Sequence, residues 1–227
     1  MTILVVAAHP DDEILGCGAS IAKWSRIGED VHILIMAEGV TSRSKTRDID
    51  LKSEELSLLA KSAQQACEIV GATSVKLLGF PDNRMDSLDR IDVIKAVEKE
   101  VDRLKPHTIA THHSGDLNID HRIIHEAVVT ACRPLPDRSV RRLLAFEVPS
   151  STEWQLTGSN IGFQPNWFEN VSETIGLKID ALKIYESEMR EWPHARSIIN
   201  IENLARWRGS SVGHKAAEAF MLMREIR

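Results

Sequence analysis

Short β-branched runs alternate with longer amphipathic stretches from the start of the chain: Ile3–Ala8 then Ile14–Ile27, Val31–Ala37 then Ile49–Val70, Val75–Leu78 then Leu88–Leu104. The short runs have the length and residue types of strands, and the stretches between them repeat their apolar positions with a helical period. Strands separated by helices cannot pair as hairpins. The crossover sets them parallel, and a parallel sheet needs helices over both faces. The alternation therefore predicts an α/β fold with a mostly parallel sheet. A fourth run, Thr108–Thr111, leads through a Gly/Asp/Asn loop into a helix from Asp120 to Cys132, which Pro134 and Pro136 end. From Leu143 the pattern changes to one strand (Leu143–Val148), a polar loop, helices near 172–188 and 198–208, and a terminal segment, Ala219–Ile226, that reads as strand or helix. With no repeat or linker, residues 1–227 are expected to form one domain, its C-terminal part capping the sheet.

The 227 residues are enough for one substantial core. Lys and Arg number 28 against 33 Asp and Glu, a net charge of −5 that leaves no basic surplus for nucleic-acid phosphates. No apolar run approaches the roughly 20 residues of a membrane span. Met1–Ala8 lacks a basic start and reads as a strand rather than a signal peptide. Cys17, Cys67 and Cys132 are odd in number and far apart, which argues against a disulfide framework or a cysteine zinc site and for a reducing cytoplasm. Aromatic residues make up 5% and form no interface stripe, so homo-oligomer formation stays open.

In open α/β sheets, ligands sit beyond the carboxyl ends of the strands. Two loops there are chemically loaded: Ala8-His9-Pro10-Asp11-Asp12-Glu13 after the first strand, and the run from His112 to His121 after the fourth. One His and one carboxylate from the first, with one His from the second, make a three-ligand set that leaves the fourth position of a tetrahedral zinc for water. His9, Asp12 and His121 are the expected ligands. His125 shares a helix face with His121 and is its rival, but His121 lies at the helix start, nearer the loop. Asp11, next to Asp12, is placed to take a proton from water as general base. The plainer reading of Asp11 or Asp12 is a helix N-cap, which explains one acid but not the whole loop. Gly16-Cys17-Gly18 lacks the third glycine of a dinucleotide fingerprint, and acids fill the turn where a pyrophosphate would rest.

Through Ala8–Glu13 and Asp120-His121 the chain resembles the PIG-L/LmbE family of zinc-dependent N-acetyl-sugar deacetylases. Further likeness lies in Gly79–Arg84, Tyr185–Glu188, Pro193–Ser197 and Arg208-Gly209. The resemblance implies a Rossmann-like fold, zinc on His9, Asp12 and His121, Asp11 as base, and a small amino-sugar substrate. One position departs from the family pattern: Asn118 stands where many members carry a histidine. An asparagine can donate to an oxyanion but cannot act as an acid. Asp11, His113 and His194 are then the candidates to protonate the leaving amine. Asp120 is expected to orient the His121 ring or to cap its helix. Arg43, Asp82, Arg84 and His113 are candidate substrate contacts, with Trp154 as a stacking surface. A second reaction class fits the same site, a zinc-dependent hydratase or lyase acting on a small unsaturated carboxylic acid; a non-catalytic binding module is a third reading.

Overall fold

The computed structural model describes residues 1–43, 47–136, 138–156, 158 and 161–227, without the Arg43 side chain. The strands are β1 (Thr2–Ala7), β2 (Asp30–Ala37), β3 (Ser74–Phe80), β4 (Thr108–His112), β5 (Arg142–Phe146), β6 (Trp167–Asn170) and β7 (Ala217–Glu225). They form a seven-stranded sheet in the order β3-β2-β1-β4-β5-β7-β6. β1 to β5 are parallel, whereas β7 runs antiparallel to both β5 and β6. The helices are α1 (Asp12–Arg26), α2 (Ser53–Ile69), α3 (Arg90–Leu104), α4 (Ile119–Ala131), α5 (Ile175–Ile184) and α6 (Ile198–Ser210). Among the described residues, no helix is long and apolar enough to cross a membrane.

Strand periodicity divides the core into two layers. In β1, Ile3 and Val5 pack with Ile14 and Ile21 of α1, Leu59 of α2 and Leu182 of α5. Leu4 and Val6 face the other way, onto Val93 and Val97 of α3 and Ile124 and Val128 of α4. Burial on both faces accounts for the unbroken apolar reading of the strand. The chain builds outward from β1 to β2 and β3 on one side, then returns to place β4 on the other. At that reversal α1 and α4 leave toward opposite faces, and the loops after β1 and β4 meet where open α/β sheets hold their ligands.

The C-terminal third does more than cap. It extends the sheet with β7 and with β6, which lies in the stretch read from sequence as a polar loop; its four residues, Trp167–Asn170, are too short to show alternation.

Gly16 and Gly18 serve packing. A Cβ on Gly16 would come within 2.4 Å of Phe146 on β5, so glycine lets α1 lie against the sheet. At Cys17 the helix breaks, with φ −149° and ψ 24°. The groups released there are met by a buried ion pair. Lys178 of α5 donates to the Leu15 carbonyl at 2.7 Å and to Glu218 of β7 at 2.6 Å. Glu218 in turn accepts the Ala19 and Ser20 N–H groups at 3.2 and 2.6 Å.

Candidate metal centre

Asp11 opens α1 with φ 116°, a backbone conformation that side-chain-bearing residues rarely adopt. Its N–H donates to Glu13 Oε2 at 3.0 Å, and Glu13 Oε1 accepts the Tyr185 hydroxyl at 2.6 Å. Neither Asp11 nor Asp12 caps the helix with its side chain. The Asp11 carboxylate instead accepts Arg196 Nη1 at 2.6 Å through Oδ2. Burial lifts the Asp11 pKa well above the ordinary carboxylate value; Arg196 opposes the rise, while the Asp12, Glu188 and Glu13 charges add to it.

Asp12 is fully buried and faces three histidines. Its Oδ2 accepts the His9 N–H at 2.9 Å and lies 3.2 Å from His9 Nδ1, 3.1 Å from His121 Nε2 and 3.7 Å from His112 Nε2. Its Oδ1 has no hydrogen-bond partner among the described residues. An orphaned carboxylate oxygen in a closed site is costly unless a cation meets it. His9, Asp12 and His121 place one ligand atom each within 4.8 Å of one another. Two imidazoles and a carboxylate are the donor set of a catalytic divalent-metal site.

Each histidine of this set has a carboxylate behind it. His9 Nε2 lies 3.2 Å from both Asp120 Oδ2 and Asp82 Oδ1. His121 Nδ1 lies 3.2 Å from Asp116 Oδ1. Burial disfavours the charge on both rings, yet the acids prevail: the His9 pKa rises well above its usual value and that of His121 to about 9. The same negative field would draw in a divalent cation. Asp12 is held well below the usual carboxylate range, chiefly by His121, against the effect of burial.

Several expected residues stand elsewhere than the sequence suggested. Asp120 does not orient His121; its carboxylate serves His9 and accepts the Asn83 and Met85 N–H groups at 2.7 and 3.1 Å. The partner of His121 is Asp116, which sequence reasoning missed. Asp116 is itself fixed by the Asn118 N–H at 2.9 Å, by the Thr152 hydroxyl at 2.7 Å and by the Ser151 hydroxyl. Asp82 is buried beside His9 rather than at the mouth. His113 donates through Nε2 to the Ile161 carbonyl at 2.8 Å and is closed in against Phe163. His125 directs Nδ1 at the His112 carbonyl at 2.8 Å and is absent from the cluster. His194 accepts the Arg196 N–H at 3.0 Å, its ring edge-on to Trp154. Arg84 is half-buried, and its side chain makes no hydrogen bond among the described residues. The Arg43 side chain lies outside the described residues. Asn118 caps α4 with Oδ1, accepting from Asp120 and His121 N–H, and donates one amide hydrogen to Asn83. Arg196, noticed in the sequence only within a motif, touches Asp11 directly. His112, stacked on His121 at 3.8 Å, is kept neutral by burial and by the neighbouring His121 charge.

Replacing Asp116 by asparagine removes the charge behind His121 at nearly constant shape. It is expected to weaken metal binding about 10- to 100-fold, measured by competition with a chelator; unchanged affinity would show that Asp116 does not support the ligand.

A family model described as PIG-L: GlcNAc-PI de-N-acetylase matches residues 4–132, a span that contains both loops. The chain is 32% identical over 191 residues to the uncharacterized deacetylase YaiS of Escherichia coli (strain K12), covering 82% of this chain and 90% of that protein. It is 28% identical over 238 residues to the diacetylchitobiose deacetylase of Thermococcus kodakarensis, covering 95% and 80%. Among solved structures, GalB, the 4-carboxy-2-hydroxymuconate hydratase of Pseudomonas putida KT2440, superposes with a TM-score of 0.77 at 19% identity, covering 100% of this chain and 97% of that one. At that identity the likeness is one of fold.

Proposed function

Because the chain belongs to the PIG-L (GlcNAc-PI de-N-acetylase) family of metal-dependent enzymes that hydrolyse N-acetyl amide bonds, we propose that it removes the acetyl group from an amino sugar or amino-sugar conjugate, with zinc as the metal and Asp11 as general base. The observation that carries this reading is the clustered set of His9, Asp12 and His121, with buried Asp11 next to Asp12 in the chain. Zinc, when bound there, supplies a Lewis acid for the acetamide carbonyl and lowers the pKa of water toward ~7.

The protein's own groups do the rest. Asp11 takes the proton of the attacking water, and its raised pKa makes it a better acceptor near neutral pH than an ordinary carboxylate. Asp120 is hydrogen-bonded to the outer nitrogen of His9, with Asp82 at 3.2 Å, and the Asp116 carboxylate lies 3.2 Å from that of His121. Asn118 has one amide hydrogen on Asn83 and a second left to donate to the oxyanion, a contact typically worth about 10²- to 10³-fold in kcat. We assign the amine proton to Asp11, which returns the one it took; His113 and His194 each have one ring nitrogen engaged, with Ile161 and the Arg196 N–H. Arg84 is the candidate for a sugar hydroxyl.

Acetate release from a panel of N-acetylated sugars, lost with a chelator and restored by zinc, tests the reading. No acetate from any of them, with turnover of an unsaturated diacid, would overturn it in favour of a hydratase. Adding zinc to the metal-free protein at pH 7 is expected to release about two protons, because His9 and His121 must give up theirs to become ligands. Calorimetry in buffers of different ionisation enthalpy counts them; zero release contradicts ligation by these rings.

A further inference from the structure

We infer that Arg196 is a positioning residue for Asp11: by holding Oδ2 it sets the direction of the carboxylate and leaves Oδ1 as the oxygen that meets water. The inference rests on the reading of Asp11 as the base. Arg196 itself lies beyond the residues that the family model matches, which end at 132.

Three observations carry it. The two Asp11 oxygens are unequal: Oδ2 takes Arg196 Nη1 at 2.6 Å, and Oδ1 has no hydrogen bond among the described residues. Arg196 is itself anchored. Its Nε donates to Ser150 Oγ at 2.6 Å, its N–H to His194 Nδ1 at 3.0 Å, and Nη1 lies 3.8 Å from Glu188 Oε2. A planar guanidinium held at Nε has little freedom left at Nη1. Finally, the Asp11 backbone is pinned separately, through Glu13 and Tyr185, so the residue is gripped at its N–H and at one carboxylate oxygen by groups that converge from distant segments.

A carboxylate tethered through one oxygen has its rotation about χ2 stopped. The free oxygen then presents its lone pairs in one direction, which is what a base needs to meet water in a productive geometry. Without Arg196 the ring of contacts from Ser150 to Asp11 is broken, and the carboxylate rotates or turns to other donors. Substrate binding does not involve this contact, so the effect falls on kcat and not on KM.

The test compares wild type, Arg196→Ala, Arg196→Lys, Asp11→Asn and the double variant Asp11→Asn/Arg196→Ala, with N,N′-diacetylchitobiose and N-acetylglucosamine as probes and metal content and thermal unfolding recorded for each. Arg196→Ala is expected to lower kcat about 100-fold with KM within twofold, and Arg196→Lys about 10-fold. Millimolar guanidinium is expected to restore part of the Arg196→Ala activity and none in the double variant, which is no slower than Asp11→Asn alone because the two residues act as one unit. Arg196→Ala with kcat near wild type, a loss confined to KM, or effects that multiply in the double variant would each overturn the positioning role. Should Arg196→Ala fail to fold, Arg196→Lys decides by the same kcat and KM criteria. Asp11→Asn at wild-type rate, or no acetate from wild type with either probe, overturns instead the reading on which the inference rests.

Discussion

Changing Asp11 to asparagine is expected to lower kcat by about 10²- to 10⁴-fold, the usual range for loss of a positioned general base. The amide has nearly the same shape, and its oxygen still accepts Arg196 Nη1, so the side chain keeps its place. It has lost the ability to take a proton. Asp11 is not among the three candidate ligands, so zinc content is expected to stay at one equivalent. Thermal unfolding of the variant reads two opposed effects, relief of an Asp11 charge that burial disfavours and loss of the counter-charge of Arg196. Steady-state kinetics with metal analysis of the same preparation checks this. A rate within tenfold of the parent would remove Asp11 from the chemistry.

The second large effect concerns the fold. Replacing Lys178 by methionine is expected to cost about 3–5 kcal/mol of unfolding free energy, the range for removing one partner of a buried ion pair. Lys178 and Glu218 are each about 5% exposed, so solvent does not screen the charge left behind. Glu218 would keep the Ala19 and Ser20 N–H groups but lose its cation, and the Leu15 carbonyl at the break in α1 would lose its donor. Denaturant unfolding reads the cost. Pairing the change with Glu218→Gln is expected to recover part of it, since no unpaired charge then remains. A cost under about 1 kcal/mol would show that the break at Cys17 does not depend on this pair. The folded variant is expected to bind metal as the parent does, because Asp12 lies a full turn before the break.

These two residues differ in how readily the sequence announces them. Asp11 stands in a dense acidic turn at the end of a strand, where an α/β sheet places its ligands. Lys178 is one lysine on a mostly apolar helix, and its partner is 40 residues away, at the edge of a segment read only as strand or helix. Asp120 shows a subtler limit. As the immediate neighbour of His121 it invites pairing with that ring, but consecutive helix residues point about 100° apart and do not face each other. That rule was available from sequence alone and argued against the pairing. Finding Asp116 requires the course of the loop from His113 to Asn118, which no period describes.

By itself, the sequence determined the parts governed by local rules. Strand and helix periods set the parallel sheet and its two covered faces, and the acidic and histidine-rich loops fell at the carboxyl ends of β1 and β4, where the strand order reverses. Tertiary structure alone decided which carboxylate stands behind each histidine, that β6 and β7 complete the sheet, and that Arg196 reaches Asp11 across 185 residues of chain. The reason is physical. Period and turn chemistry act over a few residues and leave a signature in them, whereas a charged contact between distant segments depends on where the whole core sets two backbones, and neither segment carries a trace of the other.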